Sequence, residues 1–266
     1  MSETENIQAA QIPQTIDTLV HDLKNIGIQQ GMTLIVHSSL SSIGWVCGGA
    51  QTVVEALMKV LTPAGTLVMP THSAILSDPK DWGNPPVPEA WWQTIREQMP
   101  AYDPHLTPTF LMGKIVDCFR SHTDTIRSSH PRNSFAAWGK HAHLITANHS
   151  LAFSMGENSP LARLYDLDAY VLLLGVDFDS NTSFHLAEYR QAKPPVIEES
   201  APIIAHGKRV WKTYQDIETA EETFAELGKQ YTQKYSVKQD QVGQAPSYLF
   251  SQRQAVDFAL QSLQGK

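Results

Sequence analysis

Two β-prone apolar runs, Thr33-Leu34-Ile35-Val36 and Thr66-Leu67-Val68-Met69, flank a stretch in which Val53, Val54, Leu57, Val60 and Leu61 recur at helical spacing. Strand, helix and strand in so short a span form a βαβ unit, with parallel strands and a right-handed crossover. Neither run alternates polar with apolar side chains, so both are expected to be buried on two faces. Gly44, Gly48 and Gly49 fill the turn after the first run, and Pro63-Ala64-Gly65 stops the helix. Tyr170 to Leu174 is the most apolar segment of the chain and predicts a central strand. The expected fold is α/β, a single domain over residues 1–266 with a mixed central sheet flanked by helices.

Helical spacing also covers 13–27, 109–120, 136–145, 184–191, 220–235 and 251–263. Ser159-Pro160-Leu161 opens a further helix with a capping serine and a proline at the first position. From Pro195 to Trp211, two short β-prone runs around His206-Gly207-Lys208 predict a hairpin. Residues 72–108 differ from the rest, with seven prolines, three tryptophans and little periodicity. Such a segment predicts a long ordered loop acting as a lid or binding loop, with Trp82, Trp91 and Trp92 either anchoring it or stacking on a ligand.

Composition narrows the function. A 42% apolar and 18% charged chain is that of a soluble globular protein, and no apolar run is long enough to span a bilayer. Residues 1–11 carry no basic patch followed by an apolar stretch, so no secretory leader is expected. Cys47 and Cys118 are too few for a disulfide framework, which fits a reducing cytoplasm. The net charge of −7 argues against a nucleic-acid partner and admits a cationic substrate. Nothing in the chain bars a homodimer.

In open α/β sheets, ligands bind outside the carboxyl ends of the strands. Two polar clusters are expected there: His37-Ser38-Ser39 after the first strand, and Asp177 to Ser183 after the strand at 170–174. The second runs into His185 and Glu188, three apart on one helix face, with Asp179 in the preceding loop. A histidine held by a carboxylate is a suitable base for an ammonium that must lose a proton before it attacks a thioester. From spacing alone, a surface His–Glu pair is the commoner meaning of such a pattern, and His37 reads equally well as a satisfied strand-end histidine.

The motifs, taken in order, decide further. They are Val36-His37-Ser38-Ser39-Leu40 with Gly44 and Gly48-Gly49; Gly65 to Thr71; Thr107-Pro108-Thr109 with Met112-Gly113; Arg127-Ser128-Ser129-His130-Pro131 with Ser134-Phe135; Gly156-Glu157; Ser159-Pro160-Leu161; Leu174-Gly175-Val176; Thr182-Ser183 with His185-Leu186-Ala187-Glu188; and Val242-Gly243 with Ala245 and Ser247. In this order and over nearly its whole length, the chain resembles the aminoglycoside 3-N-acetyltransferase family. The resemblance implies an antibiotic N-acetyltransferase-like fold, distinct from that of the common acetyltransferase superfamily. It implies acetyl-CoA as donor and the 3-amino group of a deoxystreptamine ring as acceptor. It also implies His185 as base, Asp179 as its orienting carboxylate with Glu188 in reserve, and a further acidic residue matched by Asp216 or Glu218. The coenzyme surface would comprise His37, Ser38, Ser39, Leu40, Thr71, Thr107 and Ser134. Arg127 and His130-Pro131 either touch the coenzyme phosphates or brace a turn through an arginine–carboxylate pair.

Three competitors stand beside this reading: acetylation of another amine, such as an amino-phosphonate or a biosynthetic intermediate; a coenzyme A-binding module without catalysis; and a metal-dependent hydrolase with His37, His185 and Asp179 as ligands. The chain's one His-x-His pair, His141-Ala142-His143, falls in an expected surface helix, so no metal is expected.

Overall fold

The computed structural model describes Ile7 and residues 12–264. The opening stretch weighed above as a leader lies, Ile7 apart, outside them. Among the described residues nine strands run in chain order: β1 (Thr33–Ser38), β2 (Thr66–Pro70), β3 (Ile126–Arg127), β4 (Phe135–Gly139), β5 (Tyr170–Leu174), β6 (Val196–Ala205), β7 (Lys208–Ile217), β8 (Lys238–Val242) and β9 (Ala245–Ser251). Seven form the main sheet in the order β3-β4-β2-β1-β5-β9-β8, and β6 with β7 makes a separate two-stranded sheet. β1 runs parallel to both β2 and β5, whereas β4 and β9 pair antiparallel on the outer sides. The sheet is therefore mixed, and β1 is the strand from which the chain departs in both directions.

The absence of alternation in β1 has its reason in the packing. Leu34 and Val36 enter the core on one face, with Leu19 and Leu23 of α1 (Ile16–Asn25) and Leu57 of α2 (Ala50–Leu61). Ile35 enters the core on the other face, with Val171, Leu173, Phe184 and Tyr231. Each such side chain, fully buried, contributes about 1.5–3 kcal/mol. α1 starts on a capping box between Thr15 and Thr18 and gives way to Gly27, whose φ is 108°.

The segment 72–108, expected as a long ordered loop, also contains a helix, α3 (Trp92–Gln98). Asp78 binds Arg96 at 2.7 Å, Trp82 donates to Ser77 Oγ at 2.9 Å, and Tyr102 N–H donates to Pro202 of the hairpin at 3.1 Å. Its tryptophans are not buried anchors: Trp91 is exposed, and Trp82 and Trp92 are half-buried. The helix expected at 109–120 begins only at Lys114 as α4 (Lys114–Arg120), after Gly113 at φ 85°.

The helix expected over 136–145 is instead β4 followed by α5 (Ala142–Thr146). Ala136 and Ala137 favour helix on their own, but pairing with Met69 and Val68 of β2 overrides that preference. Later elements fall close to expectation: α6 (Pro160–Asp166) behind the Ser159 cap, α7 (Ser183–Tyr189), α8 (Phe224–Lys234) and α9 (Gln252–Gln264). His206 and Gly207 both take positive φ, 50° and 74°, as a two-residue hairpin turn between β6 and β7 requires.

Candidate active site

The parallel register of β1 and β5 sets Ser38 opposite Leu174, so the two strands end together. Ser39 N–H donates to Leu174 O at 3.0 Å and Ser42 Oγ donates to Gly175 O at 3.0 Å, which ties the two post-strand loops into one wall. The chain after β5 makes a short turn over Phe178–Ser180 and enters α7 three residues later.

His185 lies in α7 and is buried, with 4% exposure. Its Nδ1 is 2.7 Å from Glu188 Oε2, one turn along the helix. Glu188 is itself buried, and its Oε1 accepts the Ala220 N–H at 2.7 Å. The Phe224 ring stands edge-on to the imidazole at 4.8 Å. Glu221, from the turn after β7, brings Oε1 to 3.4 Å from Nε2. Burial opposes a charge on His185, but the hydrogen bonds and charges of Glu188 and Glu221 outweigh it and hold its pKa above the ordinary 6.5.

Two other imidazoles face the same cavity and behave oppositely. Burial, aided by the positive charge of His185, takes His37 down to about 3. Burial likewise takes His72 to about 3, with His185 and then His37 adding to the effect. Neither His37 Nε2 nor His72 Nε2 has a hydrogen-bond partner, and Ser38 Oγ is also unpartnered.

Three adjoining cavities meet here. The middle one is lined by His37, Ser38, His72, Asp179, His185 and Glu221. A second shares Ser38, Leu111 and Met112 with it and extends along Ser39, Leu40, Gly49, Ala50 and Lys114. A third shares His72, His185 and Glu221 and is rimmed by Glu199, Asp216 and Glu218, with Arg132 paired to Glu199. One approach is thus lined by serines, glycines and Lys114, the other is acidic, and His185 lines the cavity between them.

Several expected residues do not touch the imidazole. Asp179 lines the middle cavity but is exposed and accepts from Ser180 Oγ at 3.2 Å, so the carboxylate on Nδ1 is Glu188. Thr71 and Ser134 are fully buried and Thr107 nearly so, and all three surround Arg127 instead of lining these cavities. Arg127 Nε donates to Thr71 Oγ1 at 3.1 Å and Ser134 Oγ at 3.0 Å. Its other nitrogens donate to Thr107 O at 2.6 Å, Thr71 O at 2.7 Å and Ser73 Oγ at 2.7 Å. The brace expected at this turn exists, but hydroxyls and carbonyls make it and no carboxylate does. His130 braces the same turn, with Nδ1 accepting the Arg132 and Asn133 N–H groups. Asp216 is buried and accepts from Tyr189 Oη at 2.5 Å, while Glu218 is exposed. The acidic residue that reaches His185 from this region is Glu221, which no spacing in the sequence signals.

The family profile described as aminoglycoside 3-N-acetyltransferase matches residues 35–264. The chain belongs to the aminoglycoside 3-N-acetyltransferase family. A relative in this family, the SPbeta prophage-derived aminoglycoside N(3')-acetyltransferase-like protein YokD of Bacillus subtilis (strain 168), is 54% identical over 254 residues, covering 95% of this chain and 93% of its own. The crystal structure of YokD superposes with a TM-score of 0.97 at 52% identity, over 98% of this chain and 97% of that one. Two further solved members are AAC-IIIb in a binary complex with CoASH and AAC-VIa bound to sisomicin. They superpose at TM-scores of 0.85 and 0.86, each 28% identical and covering 96% of this chain, and 97% and 98% of their own. As a family member the protein is an acetyltransferase. Among the described residues no group of three His, Cys, Asp or Glu side chains is arranged to hold a metal ion, and no helix is long and apolar enough to cross a membrane.

Proposed function

We propose that the protein transfers an acetyl group from acetyl-CoA to a primary amine of an aminoglycoside, with His185 as general base. The observation that carries this reading is the position of His185 in the middle cavity, which joins one lined by serines, glycines and Lys114 to one with an acidic rim. The second cavity suits the coenzyme. Gly49 caps α2 with no side-chain hydrogen bond, at φ 61°, and a Cβ there would meet nothing within 4 Å. Backbone N–H groups at that helix start, with Lys114 nearby, fit anionic phosphate. Bound there, acetyl-CoA supplies an activated acyl carbon on a good leaving group. AAC-IIIb, solved with CoASH, supports the same assignment.

The acidic rim suits a polycationic acceptor, and AAC-VIa, solved with sisomicin, supports that class. An incoming ammonium displaces Glu221 from Nε2 and is held by it. His185 Nε2 takes one proton, while Glu188 on Nδ1 fixes the ring and stabilises the resulting charge. The amine lone pair then forms the C–N bond, the C–S bond breaks with its electron pair passing to sulfur, and the proton on Nε2 leaves with the thiolate. The freed Nε2 takes the second proton from the now cationic nitrogen, which leaves a neutral amide, and passes it to solvent. The imidazole returns neutral.

Thiol release from acetyl-CoA, followed across sisomicin, other aminoglycosides and unrelated amines, tests the reading. Turnover with at least one deoxystreptamine aminoglycoside is expected. Turnover confined to a different amine, such as an amino-phosphonate, would move the acceptor assignment to that class. No thiol release with any amine would end the proposal.

A further inference from the structure

His72 belongs to no motif read above, and its imidazole stands with His185 and Glu221 where the middle cavity meets the acidic one. Its Nε2 bonds to nothing in the protein. Polar atoms left so are rare in folded proteins and call for a reason. Its backbone is fixed from both sides: Arg127 binds the hydroxyl and carbonyl of Thr71 and the hydroxyl of Ser73, and His72 O accepts the Phe110 N–H at 2.8 Å. The ring packs edge-on to Phe135 at 5.4 Å. Three hydrogen bonds from a buried guanidinium thus hold the residues on either side of this one imidazole, and three more tie them to Pro104, Thr107 and Ser134.

A group held near pKa 3 by burial and by His185, His37 and His149 takes up no proton at neutral pH, so His72 is not a second base. What a neutral imidazole offers is an N–H donor. One atom at this junction gains negative charge during acetyl transfer: the thioester oxygen, which receives the carbonyl π pair as the C–N bond forms and returns it as the C–S bond breaks. We infer that His72 is a catalytic residue whose imidazole N–H donates to that oxygen as it becomes an oxyanion, held in place by the Arg127 cage. Preorganised donors of this kind act where charge develops, and a neutral imidazole in that role is known chemistry. His37 lines the middle cavity but neither the acidic one nor the second, whereas His72 reaches the acidic one as well.

This inference rests on the acetyl-transfer reading, and its test separates the two. Trifluoroacetonyl-CoA, whose ketone lies one methylene further from sulfur than the thioester carbonyl, hydrates to a tetrahedral centre and presents its oxygens next to where the oxyanion would form. Calorimetry should show His72→Ala binding this analogue at least about tenfold more weakly than the wild type, with CoA affinity unchanged. Turnover should fall by about 10² to 10³, and His72→Gln, which restores an N–H, should recover about tenfold of it. The rising limb of the pH profile should keep its place in both variants, because His185 sets it. Should His72→Ala fail to fold, His72→Phe against His72→Gln makes the same comparison at similar volume. Unchanged analogue affinity in the donor-free variant, or turnover within about threefold of wild type, would overturn the inference. Wild-type protein that binds neither CoA nor the analogue would instead remove the reading beneath it.

Discussion

Glu221 Oε1 stands 3.4 Å from His185 Nε2, on the side of the ring opposite Glu188. The imidazole is therefore clasped by two carboxylates, which favours its protonated form, and the base becomes free only above the ordinary histidine range. Glu221→Gln removes one of the charges that raise the His185 pKa. The rising limb of kcat/KM against pH should then move to lower pH, while KM for a cationic amine should increase by about tenfold, or roughly 1.4 kcal/mol. A limb that stays in place or moves upward would contradict this electrostatic assignment.

His185→Ala should lower kcat by at least about a hundredfold, the usual worth of a general base. Affinity for CoA, measured by calorimetry, should change little, because His185 does not line the cavity proposed for the coenzyme. A folded variant with near-normal turnover would remove His185 from the mechanism.

The two acidic candidates should part company. Asp179→Asn leaves the His185 contacts intact and should alter kcat by less than about threefold. Glu188→Gln removes the charge held 2.7 Å from Nδ1 and should cost at least about tenfold. It also carries a stability signature with a defined sign. A histidine whose folded pKa is raised adds stability that is fully present below its unfolded pKa and is lost as pH rises through the folded one. Urea unfolding should therefore show Glu188→Gln more destabilised at about pH 5.5 than at about pH 9. Equal destabilisation at both would place the effect in packing alone.

Arg127→Ala strips the donors from several buried carbonyl and hydroxyl oxygens at once. Each acceptor left unpaired costs about 1–3 kcal/mol, so a total loss of about 3 kcal/mol or more is expected in denaturant titrations. The fraction that remains folded should bind CoA within a few-fold of wild type. A stable variant that has lost CoA affinity would return Thr71, Thr107 and Ser134 to the coenzyme surface.

How much was legible follows from what spacing can encode. β1, β2 and β5 were visible because strands buried on both faces are apolar throughout, and His185 with Glu188 because a helix places such residues on one face. β4 was not, since alanines carry little strand preference of their own and only pairing with β2 decides their state. Glu221 was invisible because its contact is made by the return of the β6–β7 hairpin, which no local periodicity records. Thr71 and Ser134 stood in a recurring motif, yet a motif does not distinguish a side chain that touches a ligand from one that holds the loop beside it.

The separate pairing of β6 with β7 has a consequence for how such a protein changes over generations. The wall proposed to receive the coenzyme is built from the loop joining β1 of the main sheet to α2 and from residues 111–115, whereas the acidic rim takes Glu199 from β6, Asp216 from β7, and Glu218 and Glu221 from the turn beyond it. Substitutions along that appended arm reshape what can enter from one side while the donor side keeps its register. Acceptor preference is free to drift within lineages that all inherit the same donor chemistry.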